Sequence, residues 1–195
     1  MAVERIVYFD RPGPANTVGV AEAVRERCAE LGIEHVVVAS NTGATALALY
    51  GALKDTGATL VSVGEHTGFR GGDQQDLTDD RRRALEEKGI KVLICSHALS
   101  GVGRSVTNKF SGITHVEIVA YTLRQFGGEG VKVAVEVAVM AADAGLVPTD
   151  TEIIAVGGTG GGADTAIVLK AAHMNNFFDL EIREIIAKPR QRKKG

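Results

Sequence analysis

The chain has no tryptophan, only two cysteines and only four prolines in 195 residues. Cys28 and Cys95 stand far apart with no Cys-x-x-Cys spacing. That excludes a disulfide-stapled scaffold, and both are expected to be buried structural thiols suited to a reducing cytoplasm. No apolar run is long enough to span a bilayer, and the opening MAVERIVYFD lacks a charged-then-apolar signal layout. A cytoplasmic protein is the expectation. No His/Cys/Asp ligand spacing suggests a metal. Neither sign of charge dominates: a net charge of −2 argues against a general nucleic-acid or membrane-surface binder. The basic end, Lys188 to Lys194, reads as a solvated tail.

What the chain has instead is glycine placed after apolar runs. Val36–Ala39 suits a strand buried on both faces, Ser40-Asn41-Thr42-Gly43-Ala44-Thr45 a polar turn, and Ala46–Tyr50 a buried helix. The first amides of a helix have no internal partner, and the helix dipole adds positive charge there. Ser40, Thr42 and Thr45 supply hydroxyls, and Gly43 permits close approach. The turn is therefore either an anion cradle or a plain capped helix start.

The same layout recurs along the chain. Arg5–Phe9 predicts a strand, and Asn16 or Thr17 caps a helix to Leu31 with Val20, Val24, Cys28 and Leu31 on one face. Strands follow at Thr59–Val63 and Lys91–Cys95, with a helix between them from Thr78 through Lys88. Ser96–Ser105 reads as loop, Thr114–Phe126 as helix and Val131–Ala144 as a largely buried helix. Glu152–Val156 and Ala166–Ala172 read as strands, and Leu180–Ala187 as an edge strand. Alternating strands and helices imply one α/β domain, a three-layer α/β/α fold with a mixed, mostly parallel sheet. The polar loops Pro12–Asn16, Ser40–Thr45, Gly64–Asp73, Ser96–Ser105 and Gly157–Thr165 all follow strands, where such folds collect ligands.

GGTGGGADT, Gly157–Thr165, lacks the Gly-Lys-Ser/Thr of a nucleotide-hydrolase loop and fits a dinucleotide fingerprint only loosely. Its glycines suggest a backbone surface that a flat or phosphorylated ligand approaches closely, with a structural turn as the alternative. His66 and His97 either converge as acid, base or ring contacts, or are exposed loop residues. Lys132, Glu136 and Asp143 form a polar stripe on a buried helix, best explained by an ion pair. Phe69, Phe110, Tyr121 and Phe126 wall a planar ring or, for at least two of them, pack in the core.

Ser40–Ala46 resembles the phosphate-holding loop of the pyruvate kinase carboxyl-terminal domain, and Asp150–Thr165 resembles that domain's later effector-loop region. Ala44 stands where the kinases often have arginine, and the second loop lacks their tryptophan and arginine. With the catalytic barrel missing, phosphoryl transfer from phosphoenolpyruvate is not expected. A closer resemblance is to the stand-alone, pyruvate kinase carboxyl-terminal-domain-like proteins. It rests on Pro12–Thr17, Val38–Gly43, His66–Phe69, Met140–Gly145 and Gly162–Ala166. This resemblance implies flavin mononucleotide (FMN) as ligand, with its phosphate on Ser40, Asn41, Thr42, Gly43, Ala44 and Thr45. The ring would lie near Gly157, Gly158, Thr159, Gly160, Gly161 and Asp164, and near His66, Thr67, Gly68 and Phe69. A flavin-dependent oxidoreductase is one implication and a sugar-phosphate-sensing module the alternative; a homo-oligomer is a fair expectation.

Overall fold

In the computed structural model, which describes residues 5–192, one seven-stranded sheet carries every strand. The elements run β1 (Val7–Phe9), α1 (Thr17–Leu31), β2 (His35–Ala39), α2 (Ala44–Leu53), β3 (Thr59–Gly64), α3 (Asp79–Glu86) and β4 (Lys91–Ile94). They continue α4 (Gly101–Phe110), α5 (His115–Gly127), α6 (Glu129–Asp143), β5 (Glu152–Gly157), β6 (Thr165–Lys170) and β7 (Glu181–Pro189). The strand order is β1-β7-β6-β5-β2-β3-β4. Only β6 runs against its neighbours, pairing antiparallel with β5 and β7. The mixed, mostly parallel sheet is as expected.

Two apolar layers sandwich it. Val20, Val24 and Cys28 of α1 and Ala46, Leu49 and Leu53 of α2 pack on one face, with Val36, Val38 and Ile154. Val131, Ala134, Val135 and Ala138 of α6 pack on the other, with Val37, Val61, Ile153 and Ala155. Because β2 and β5 point side chains both ways into these layers, they read as continuous apolar runs. The sequence signals set several ends: Gly32 closes α1 at φ 65°, and Thr78 Oγ1 accepts from Arg81 N at 3.4 Å to open α3.

Several expectations are corrected. Ser96–Ser105 is not all loop, since α4 begins at Gly101; it buries none of its residues, so it carries no apolar pattern facing the core. The buried helix starts at Glu129, not Val131. β7 is not an edge strand: β1 pairs outside it, but through only three residues, so most of β7 keeps an edge-like alternation. Leu31 is exposed, as are all four ring candidates, Phe69, Phe110, Tyr121 and Phe126, so none of the four is core. Met1–Glu4 and Lys193–Gly195, within the leader reading and the basic tail, lie outside the described residues.

Candidate functional site

The register places the site. Val36, Val37 and Val38 of β2 pair in parallel with Ile154, Ala155 and Val156 of β5. Their two carboxyl-terminal loops, Ser40–Gly43 and Gly158–Asp164, therefore leave the sheet side by side. From β2 the chain turns toward β3 and β4, from β5 toward β6 and β7, so this is the point where the strand order reverses. A cleft of about 520 Å³ opens there, within the range of small-molecule sites. Ser40, Asn41, Thr42 and Thr45 line it from one loop, and Gly158, Gly160, Gly161 and Gly162 from the other. Lys132, Val133, Glu136, Val137 and Met140 of α6 add a partly apolar wall, and Phe69 and His97 an aromatic one.

On the cradle side, Gly43 takes a left-handed φ of 84°, which a side chain resists, and turns the chain into α2. Ser40 Oγ accepts from Ala46 N at 3.2 Å, which leaves the serine hydroxyl proton free to donate. Among the described residues, nothing accepts from the amides of Gly43, Ala44 or Thr45. Three free amides at a helix start, flanked by Thr42 and Thr45, can bind an anion. Asn41 Oδ1 accepts from Glu65 N at 3.3 Å and ties this turn to the loop after β3.

The glycine loop is built for internal fit as well as access. A Cβ on Gly157 would collide with the Gly130 carbonyl oxygen, and one on Gly162 would lie 2.6 Å from Pro14 Cα. Gly160 and Gly161 have positive φ and open space beside them, so they are the part a ligand can approach. Asp164 is fully buried: Oδ2 accepts from Gly13 N at 2.9 Å and Thr159 N at 3.1 Å, and Oδ1 from Thr165 Oγ1 at 2.8 Å. It braces the loop from beneath. Thr17 Oγ1 accepts from Ala163 N at 3.0 Å and adds a second latch.

Not all predicted residues face this cleft. Thr159 lines an adjoining cleft with Gly127–Gly130 and Arg192. Thr67 Oγ1 accepts from Gln75 Nε2 at 3.2 Å, and Gly68 is held against the Gly72 carbonyl. His66 does reach the site indirectly. Its ring centroid lies 5.6 Å from that of Phe69 and 6.0 Å from that of His97, and Phe69 and His97 stand 5.0 Å apart. Ring convergence, one of the two readings for the histidines, is what the loops produce. Burial lowers the His97 pKa, opposed by Glu136 and Glu65, so its imidazole is neutral at pH 7.

Charge in the cleft is balanced: Arg70, Arg104, Arg124 and Lys132 against Glu65, Asp76, Glu129 and Glu136. Arg70 pairs with Asp76 at 2.8 Å and Arg124 with Glu129 at 2.5 Å. Lys132 and Glu136 form a buried pair at 2.5 Å, and Glu136 Oε1 also accepts from Leu99 N at 2.9 Å. Arg104 has no ion pair within 4 Å among the described residues. With balanced charges, the cleft offers an anion local donors rather than a net field. Sequence reasoning missed Arg104 and Arg124, because their approach depends on how α4 and α5 pack. The i, i+4 spacing of Lys132 and Glu136 did announce their pair.

Fold and cleft together define a three-layer α/β/α protein with an open cleft at the reversal point of its sheet. The family model of the pyruvate kinase alpha/beta domain matches residues 19–169, and the chain belongs to that family. Among solved structures it is similar to a Cryptosporidium parvum pyruvate kinase, at 14% identity over 83% of this chain and 24% of that one, with a TM-score of 0.42. A second structure of a pyruvate kinase from that organism matches at 12% identity, over 82% of this chain and 23% of that one, with a TM-score of 0.43. The chain thus spans about a quarter of the length of these kinases. No helix among the described residues is long and apolar enough to cross a membrane.

Proposed function

We propose that the chain binds flavin mononucleotide in this cleft, with the phosphate on the free amides of Gly43, Ala44 and Thr45 and the hydroxyls of Ser40 and Thr42. The observation that carries the reading is the pairing of β2 with β5, which sets a helix start with three free amides beside an open glycine surface. The phosphate end is polar and rich in N–H donors. The opposite walls, Val133, Val137, Met140 and Phe69, suit an apolar ring. A bound flavin supplies redox chemistry of its own; the chain's part is to hold, orient and shield it. A flavin-dependent oxidoreductase is the activity this reading leads to.

The test is a fluorescence titration of the purified chain with FMN and, separately, with riboflavin. FMN should quench on binding, and riboflavin, lacking the phosphate, should bind at least ten-fold more weakly, about 1.4 kcal/mol. Equal affinity for the two would sink the phosphate assignment. Because the cradle recognises a phosphate rather than a ring, a sugar-phosphate sensor is the second reading. Thermal stabilisation by a sugar bisphosphate, with none by FMN, would select it.

A further inference from the structure

We propose that α4 is the two-fold contact of a homodimer, pairing antiparallel with its own copy through Val102, Val106 and Phe110. These residues recur at i, i+4 and i+8 and form one stripe, and they are 80%, 42% and 74% exposed. The helix is turned the wrong way for a lone chain. Its contacts with its own domain come through Gly103, 3.0 Å from Thr114 Oγ1 at the Cβ position, and through Thr107, whose Oγ1 donates to Glu117 at 2.5 Å. A ten-residue helix that buries no residue gains little from tertiary packing, and isolated helices of that length are marginal in water.

The occupant follows from the stripe itself. Rotation about an axis through Val106 sets Phe110 against Val102 of the partner subunit, large against small, with Val106 meeting its own copy. The same operation sets Arg104 opposite Asn108 of the partner subunit and Lys109 opposite Gly103 of the partner subunit, so like charges do not meet. With Ile113, 57% exposed just beyond the helix, the stripe offers apolar area on the order of 450 Å². A standard interface of about 800 Å² a side, at the roughly 65% apolar share of homodimers, needs about 520 Å² of apolar area a side, most of which these residues supply. Arg104, which lines the cleft, rides on the same helix, so dimerisation would also fix its position.

Sedimentation velocity of the full chain at micromolar concentration tests this. The expected result is a dimer that Val106→Asp and Phe110→Asp each convert to monomer with unchanged far-UV dichroism. Each raises the dimer dissociation constant at least about 30-fold. Phe178→Asp, at a ring 88% exposed outside α4, should leave the dimer intact. Val106→Cys, on the axis, should cross-link on oxidation, and Asn108→Cys, off the stripe, should not. A monomeric wild-type chain, or a dimer indifferent to both aspartates, overturns the proposal.

Discussion

The Gly130 carbonyl oxygen occupies the space into which any side chain on Gly157 would grow. This contact lets the first turn of α6 sit directly on the end of β5, beside the loop that lines the cleft. Gly157→Ala should therefore push α6 off the sheet and cost about 1–3 kcal/mol. Urea unfolding of the ligand-free chain checks this; an unchanged midpoint would mean that the approach is looser than described.

Ser40 and Thr42 separate the two uses of the same turn. Ser40→Ala removes the acceptor for Ala46 N and should cost about 0.5–2 kcal/mol of stability without ligand. Thr42 makes no hydrogen bond among the described residues, so Thr42→Ala should shift stability by less than about 0.5 kcal/mol. Its effect should appear in FMN affinity instead. Parallel thermal melts and titrations of the two variants distinguish these outcomes.

Glu136 satisfies two buried groups at once, Lys132 Nζ and Leu99 N. Glu136→Ala should cost about 3–5 kcal/mol, because it leaves an ammonium only 6% exposed without a partner. Lys132→Met with Glu136→Gln should recover most of that loss, since the glutamine carbonyl still accepts from Leu99 N and no charge remains. Denaturant midpoints of the single and double variants measure the difference.

His97 gives the cleft a pH dependence of known sign. Burial lowers its folded pKa below the ordinary histidine value of about 6.5. Above that value the ring is neutral in both states; as pH falls through it, the unfolded chain takes the proton first. Stability is thus retained above about pH 6.5 and lost as pH falls toward the folded pKa. His97→Gln should flatten this part of the profile, measured as the difference in urea midpoint between wild type and variant from about pH 5 to about pH 8.

Particular residues show what the sequence made legible. Each strand followed by a glycine turn was readable because β2 and β5 are apolar on both faces and their loops are not. α4 was not, because Gly101, Gly103, Ser105 and Thr107 are poor helix formers and its apolar stripe faces away from the core. The exposed positions of Phe110 and Phe126 could not be inferred from residue type, which favours burial. In the cleft, both loops were legible from their place after strands. The guanidinium of Arg104 was not, since it depends on where a helix without buried residues comes to rest.

Gly158–Asp164 joins β5 directly to β6, two strands hydrogen-bonded from Glu152↔Lys170 to Gly157↔Thr165. A turn closed by such a ladder and latched by Asp164 is anchored at both of its ends, at the middle of the sheet. The facing bank, the stretch from Glu65 to Asp76, has no such ladder and is clasped by the partly exposed Arg70–Asp76 pair, so it is the side of the cleft freer to move.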